Sequence, residues 1–391
     1  MNILFAANAY VDRGIPQDGF PIYLYRVSHA LKNMGHTPVI VYCSDRDSFR
    51  VEDGIKIYGV KSHIVKFNTT WINAFWASAC RSYYLNRKLK ELVKSENIDI
   101  IQFTSLNAIS LFYHGRTPAV MRLSSYTKKA NPTFDTMDRN TIFVASLLEL
   151  MAGTRCNAVF APSNITAEAF QKDFRKHTYV LETPFLRDVQ SYDYSIYEDN
   201  LKGKKYVLFF GRMYYVKGVT VIAEILEKFL DKHQDHNFVF VGDALPINGK
   251  SAVDIIKEGA GKYRDRAIVI KSLEHKKLYP IIENSEFVVL PSIIDNFPNT
   301  CIEAMSLSKV VIGTRGASFE QLIEDGKSGF LCKIGDSGEL LCKIEKAVNM
   351  GPYEKNEMET RARERIMRLD PKLTVKKLVK FYEAVIQKHQ F

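Results

Sequence analysis

Nothing in this sequence is spaced to grip a zinc ion or to cycle a redox couple. Its six cysteines, Cys43, Cys80, Cys156, Cys301, Cys332 and Cys342, form no C-x-x-C pair and read as reduced, small apolar residues in or near cores. His29, His36, His63 and His114 also lack metal-ligand spacing and read as structural or exposed. No apolar run approaches the roughly 18 residues of a spanning helix. The opening MNILFAANAYV is too short for a secretory h-region and has no basic n-region, so the expectation is a cytoplasmic chain. Low-complexity tracts and repeats are lacking too, which excludes a solenoid.

What is present is globular. The 391 residues are 46% hydrophobic and 25% charged, and a chain this long exceeds the roughly 250–300 residues that one hydrophobic core serves, so two domains are expected. The net charge of +10 is uneven: residues 1–190 hold 23 Lys+Arg against 16 Asp+Glu, and the remainder 31 against 28. The front half is the basic one.

Apolar runs alternate with helical patterns through both halves. NILFAAN (2–8), a glycine-bearing loop AYVDRGIPQDGF, a helical pattern from Ile22 to Met34, a terminating Gly35 and TPVIVYC (37–43) compose a strand–helix–strand unit. IDIIQF (98–103), AVMRL (119–123) and NAVFAPS (157–163) continue it. A polar stretch at 186–205 suits a linker, after which YVLFFG (206–211), a helix from about Val219 to His233, FVFVG (238–242), AIVIKS (267–272), FVVLPS (287–292) and VVIGT (310–314) restart the pattern. The fold class is therefore α/β, with two Rossmann-like, doubly wound parallel-sheet domains, residues 1–190 and 200–370. Ligands of such sheets bind outside the carboxyl ends of the strands, and with two domains the cleft between them is the expected site.

Three stretches of the back half fall on such loops. The first, FFGRMYYVKG, offers Gly211 and Gly218 for close backbone approach and Arg212 and Lys217 as two cations able to neutralise a diphosphate. LPSIIDNFPNTCIEAM (290–305) puts Asp295 on a loop, Asn299 and Thr300 at a helix start, and Glu303 in that helix's first turn. A helix start gathers free N–H groups and a positive dipole end, which suit phosphate, and the carboxylate suits paired ribose hydroxyls. The third, GTRGASFEQLIEDGKSGFLC (313–332), is turn-rich, with Glu320 starting the next helix.

Together these stretches resemble the donor half of the GT-B glycosyltransferases, specifically retaining family 4 (glycosyl transferases group 1). The E-x7-E pattern of that family falls on Asp295 and Glu303, with aspartate in the first place. The resemblance implies that Arg212 and Lys217 hold the diphosphate of a nucleotide sugar, with UDP the leading base. Glu303 takes the ribose hydroxyls, and Asp295 lies by the donor sugar. Phe297, Pro298, Asn299 and Thr300 meet the sugar or phosphates through their amides, and Gly19 and Phe20 of the front loop close the donor site. Arg212, Lys217 and Asp295 are thus the catalytic candidates. The resemblance further implies retained anomeric configuration, no metal or other cofactor, no named protein base, and a C-terminal helix (371–389) that crosses back to the first domain. Its setting is transfer to a glycan or lipid-linked acceptor in surface polysaccharide assembly.

Departures from the family pattern matter. Members often carry a histidine after the strand that here ends at Leu123, whereas this chain has Ser124 and Ser125. That implies a donor with an altered or missing 6-hydroxyl, or recognition through Arg122 and Ser124; the alternative is that Arg122 forms a structural salt bridge. Highest turnover with plain UDP-glucose would overturn the donor expectation. Residues 61–94 hold both tryptophans and seven Lys/Arg against one Glu. They read either as a peripheral contact with anionic membrane on the cytoplasmic face or as a front-domain helix whose aromatics are core. No motif accompanies the charge to suggest nucleic acid. Asp45-Arg46-Asp47 matches the D-x-D metal pattern of another glycosyltransferase fold, which the two-domain pattern disfavours. An epimerase of similar architecture and an inactive nucleotide-sugar-binding subunit are the competing functions.

Overall fold

The computed structural model describes residues 1–10, 19–64, 67–130, 138–187, 189 and 191–389, and the chain forms two compact units, Met1–Leu186 with Leu369–Phe391, and Arg187–Arg368. Most of the expected glycine loop, residues 11–18, lies outside the described residues.

The first unit is built on eight strands: β1 (Asn2–Ala7), β2 (Thr37–Ser44), β3 (Ser48–Glu52), β4 (Ile55–Lys61), β5 (Ile100–Thr104), β6 (Ala119–Arg122), β7 (Ala158–Ala161) and β8 (Thr178–Val180). Their order is β3-β4-β2-β1-β5-β6-β7-β8, all parallel except β3, which runs antiparallel to β4 at the edge. β1 reads apolar at every position after the first because both faces of the strand are covered. The helices are α1 (Gly19–Asn33), α2 (Thr70–Ser95), α3 (Thr127–Ala130), α4 (Arg139–Thr154) and α5 (Asn164–Phe174). Gly35 ends α1 with φ +83°, a backbone conformation that glycine adopts without steric cost.

The second unit carries α6 (Ser195–Asn200), β9 (Lys205–Phe210), α7 (Val219–Lys232), β10 (His236–Val241), a small hairpin of β11 (Pro246–Ile247) and β12 (Lys250–Ser251), α8 (Ala252–Gly259), β13 (Ala267–Ile270), α9 (His275–Glu283), β14 (Val288–Val289), α10 (Asn299–Ser306), β15 (Val311–Arg315), β16 (Phe330–Lys333), α11 (Ser337–Val348) and α12 (Pro352–Met367). Its parallel sheet runs β13-β10-β9-β14-β15-β16. In α7, Val219, Ile222, Ala223, Leu226, Phe229 and Leu230 recur at helical spacing and are buried, which seats the helix on the sheet. The strand expected at 287–292 shrinks to Val288–Val289: its continuation peels away into the loop that carries Asp295.

The last helix, α13 (Pro371–His389), belongs to the first unit. Val375, Leu378, Val379, Tyr382 and Val385 join Ile3, Phe5, Leu24, Val27 and Leu31 in one buried cluster, and the Tyr382 hydroxyl donates to Gln102 Oε1 at 2.6 Å. Four further corrections follow from the structure. Glu303 is the fifth residue of α10 and sits in its second turn, because the helix begins at Asn299. Glu320 starts no α-helix: Phe319–Gln321 is one 3-10 turn, and the Glu320 carboxylate turns back to accept from Gly316 N–H at 2.7 Å. Cys342 is exposed, unlike Cys301 and Cys332, since it lies on the outer side of α11. The aromatics of α2 are mostly not core: Trp71, Phe75, Trp76 and Tyr83 are all exposed, and Tyr84 alone packs against the core.

Candidate functional site

Strand order in the second unit reverses between β9 and β14, with β10 and β13 to one side and β15 and β16 to the other. The loops leaving the carboxyl ends of β9 and β14 start side by side at that point, the position where open parallel sheets bind their ligands. They carry the first two of the three stretches singled out above.

The two loops are stitched together. The Ile293 N–H donates to Val216 O at 2.8 Å. Gly218 has φ +75°, and a Cβ there would stand 2.0 Å from the Pro291 carbonyl oxygen, so only glycine allows the approach. Gly211, at φ +121°, lies against Thr300, and a Cβ on Gly242 would stand 2.0 Å from the Gly211 carbonyl oxygen. Lys217 Nζ donates to Asp295 Oδ2 at 2.5 Å, with the side chains 25% and 13% exposed. Desolvation opposes the ammonium charge, but the Asp295 carboxylate overrides it and holds the Lys217 pKa above its ordinary value, while Arg212 pulls the other way. Asp295 is fixed at three points: by Lys217, by Asn296 N–H on Oδ1 at 2.9 Å, and by Ser318 Oγ on its carbonyl at 3.1 Å. Ser318 comes from the third stretch and has φ +66°, a strained value for a non-glycine residue. All three stretches therefore meet at one residue, Asp295.

Arg212 is exposed on the same loop, close enough to Lys217 and to Tyr214 to influence both charges; burial raises the Tyr214 pKa. Phe297 and Pro298 are buried, and Pro298 caps α10. Proline has no N–H and no side-chain acceptor, which corrects the expectation of four amides. The N–H groups on offer are those of Phe297, Asn299 and Thr300, and no side chain caps the helix. Glu303 lies one turn further on, with its carboxylate 3.7 Å from His275 Nε2. His275 is the first residue of α9, just after the loop that follows β13, and stacks on Tyr279 at 5.2 Å. Sequence reading missed His275, which stands 28 positions from its partner. The signal available was its place in a loop after a sheet strand.

The first unit collects its own polar groups at the corresponding reversal, between β1 and β5. Asn8, just past β1, accepts from Asn107 Nδ2 at 2.5 Å, and Asn107 and Ala108 after β5 both have positive φ. Beside them a cavity of about 300 Å³ is lined by Asn8, Tyr10, Ser44, Asp45 and Arg81 among others. Arg81 makes no ion pair among the described residues. Asp47 instead accepts from Lys61 N–H at 2.9 Å, a structural use of the D-x-D residue. Among the described residues no group of three or more His, Cys, Asp and Glu side chains is gathered as a metal site.

Arg122 is buried at the end of β6 with its guanidinium 3.8 Å from the Tyr23 ring centroid and 5.5 Å from that of Phe20. It donates to Ser124 Oγ at 3.2 Å and Thr183 Oγ1 at 2.9 Å. No carboxylate pairs with it among the described residues, so the salt-bridge alternative gives way to a cation held on aromatic faces, with burial lowering its pKa. Phe20, Arg122 and Ser124 are thus neighbours, and Gly19 opens the helix that brings Phe20 there.

Comparison with known proteins bears on the family and the fold. Residues 18–183 match the model of Glycosyltransferase Family 4 and residues 197–365 that of Glycosyl transferases group 1. An alpha-D-kanosaminyltransferase of Streptomyces kanamyceticus is 27% identical over 38% of this chain and 38% of its own length. The phosphatidylinositol N-acetylglucosaminyltransferase gpi3 subunit of Schizosaccharomyces pombe is 20% identical over 80% of this chain, which spans 66% of that relative. Among solved structures, sucrose-phosphate synthase of Thermosynechococcus elongatus superposes with a TM-score of 0.73 at 14% identity, covering 99% of each chain.

Proposed function

This chain belongs to the GT-B glycosyltransferases of family 4 and group 1, and from that premise we propose that it transfers a sugar, with retention, from a uridine diphosphate sugar to a glycan or lipid-linked acceptor. The observation that carries the donor assignment is the convergence of three loops at the β9/β14 reversal, where the start of α10 has no side-chain cap and Lys217 and Arg212 stand beside it. A diphosphate seated there meets N–H groups, a helix dipole and two cations, all fixed before the reaction begins. Glu303 and His275 then take the ribose, and Asp295 orients the donor sugar.

When the acceptor hydroxyl attacks the anomeric carbon, the bond from that carbon to the leaving phosphate oxygen breaks and its electron pair stays on the diphosphate. Lys217 and Arg212 stabilise that developing charge, which lets the reaction proceed without a metal ion. Attack from the face the diphosphate leaves retains configuration, and a diphosphate oxygen takes the acceptor's proton, so no protein base is required. The acceptor's place is the cavity beside Asn8 and Arg81, whose guanidinium makes no ion pair among the described residues and suits an acidic or phosphorylated acceptor. The name of the fission-yeast relative, a transferase acting on phosphatidylinositol, is in keeping with a lipid-linked acceptor, and surface polysaccharide assembly is the setting we propose.

A thermal-shift panel of UDP, GDP, ADP and their sugar conjugates, at low salt and with magnesium or EDTA, tests this reading. The expected result is selective stabilisation by uridine nucleotides that EDTA leaves intact. Selective response to GDP or ADP would replace the base, loss of response in EDTA would end the metal-free mechanism, and no response at all would favour an inactive subunit.

A further inference from the structure

The core-facing stripe of α2 runs Trp71, Phe75, Ser78, Ser82, Leu85, Leu89 and Leu92, spaced alternately by four and three residues. From Ser78 onward every member is buried, but Trp71 and Phe75 are 41% and 44% exposed. The apolar stripe therefore continues past the protein that covers it. α4 packs beside α2, and Thr70 Oγ1 donates to Asp138 Oδ2 at 2.5 Å where the two helices begin. α4 buries Thr141, Leu148 and Ala152, yet its opposite face is also apolar: Phe143, Leu147 and Met151, each four residues from the next, are 69%, 45% and 43% exposed. Arg139 and Glu149 are its only charged residues, and Glu149 is buried. A helix apolar on both faces has a second apolar phase to meet. Phe67 and Trp76, both exposed, pack ring to edge on each other, 6.0 Å apart.

We propose that this α2/α4 face docks on the surface of an anionic lipid bilayer. Charge complementarity selects the occupant. Trp76, Tyr83, Arg87, Lys90 and Lys94 share the outward face of α2, and Arg87, Lys90 and Lys94 make no ion pair among the described residues. Tryptophan and tyrosine with lysine and arginine around an apolar strip is the composition of a helix lying at a lipid headgroup boundary, whereas the cores of protein–protein interfaces are depleted in lysine. The helices lie along the surface and do not cross it: no described helix is long and apolar enough to span a membrane. The inference rests on neither the donor nor the acceptor assignment.

The chain's two tryptophans, Trp71 and Trp76, both sit in the patch, so intrinsic fluorescence reports on it directly. The full chain is titrated with vesicles of phosphatidylcholine and phosphatidylglycerol in equal parts, and with phosphatidylcholine alone, followed by flotation. The expected result is a blue shift and co-flotation with the anionic vesicles only, weakened at least tenfold by 0.5 M NaCl. The F143S/L147S double variant and, separately, the K90E/K94E variant lose at least tenfold in vesicle affinity, while the nucleotide thermal shift stays as in wild type. Equal binding by the variants, or binding indifferent to lipid charge and salt, overturns the proposal. So does a blue shift that grows with protein concentration without vesicles, which would make a second copy the occupant.

Discussion

Asp295 is held by a lysine that the proposed ligand also needs, and that sharing separates binding from transfer. Asp295→Asn removes a negative charge from beside an incoming diphosphate. Calorimetry should then find UDP bound at least as tightly as by wild type, while transfer falls steeply because the donor sugar has lost its orienting carboxylate. Arg212→Ala and Glu303→Ala act the other way: each removes a charge-assisted contact and should weaken nucleotide binding by about 1.5–3 kcal/mol. Unchanged affinity in both would remove the site from this loop cluster. Far from it, His236 donates its ring to Glu286 and Asp235 at 2.8 and 2.7 Å, and these partners hold its pKa above the ordinary 6.5 against the effect of burial. A raised histidine pKa means that the fold binds the proton more tightly than the unfolded chain does. The stabilisation is complete below about 6.5 and is lost as pH rises through the raised value. The melting temperature should therefore fall from pH 6 to pH 9 in wild type and follow a flatter course in His236→Asn.

At the scale of elements, the loops after β9 and β14 touch through glycine, and that contact is brittle. Gly218→Ala has to move the Pro291 carbonyl or adopt a strained φ, so it should abolish nucleotide binding and lower the melting temperature of the second unit. A variant that binds UDP normally would show the loops to be independent. Legibility differed sharply between elements. NILFAA and YVLFF were readable as buried strands because continuous apolar runs between turn residues have few other uses, and Gly35 marked the end of α1 because glycine takes a positive φ without steric cost. The second turn position of Glu303 was not readable, since Pro298 acts as cap where Asn299 looked the better one. Neither could the pairing of Lys217 with Asp295 or of His275 with Glu303 be read, for contacts across 78 and 28 residues leave no local pattern. Trp71 and Phe75 share one helical stripe with core residues, so the sequence left open whether the aromatics of this segment are core or surface; only the limit of the covering layer puts these two outside.

For the whole molecule, the second unit is an insertion in the first. Residues 1–186 lack the α13 side chains of their own core, so a chain ending at Arg368 should retain the melting transition and UDP response of the second unit and lose cooperative melting of the first. Survival of both transitions would show Tyr382 and its neighbours to be dispensable. The same arrangement sets a clock during synthesis. At roughly 5–20 residues per second, the ribosome spends about 10–40 s making the second unit while Ile3, Phe5 and Val27 wait for Tyr382 and Val385. Through that interval the earlier-made half is the unfinished one, exposed to chaperones and proteases, and the later-made half is the first to have its whole chain.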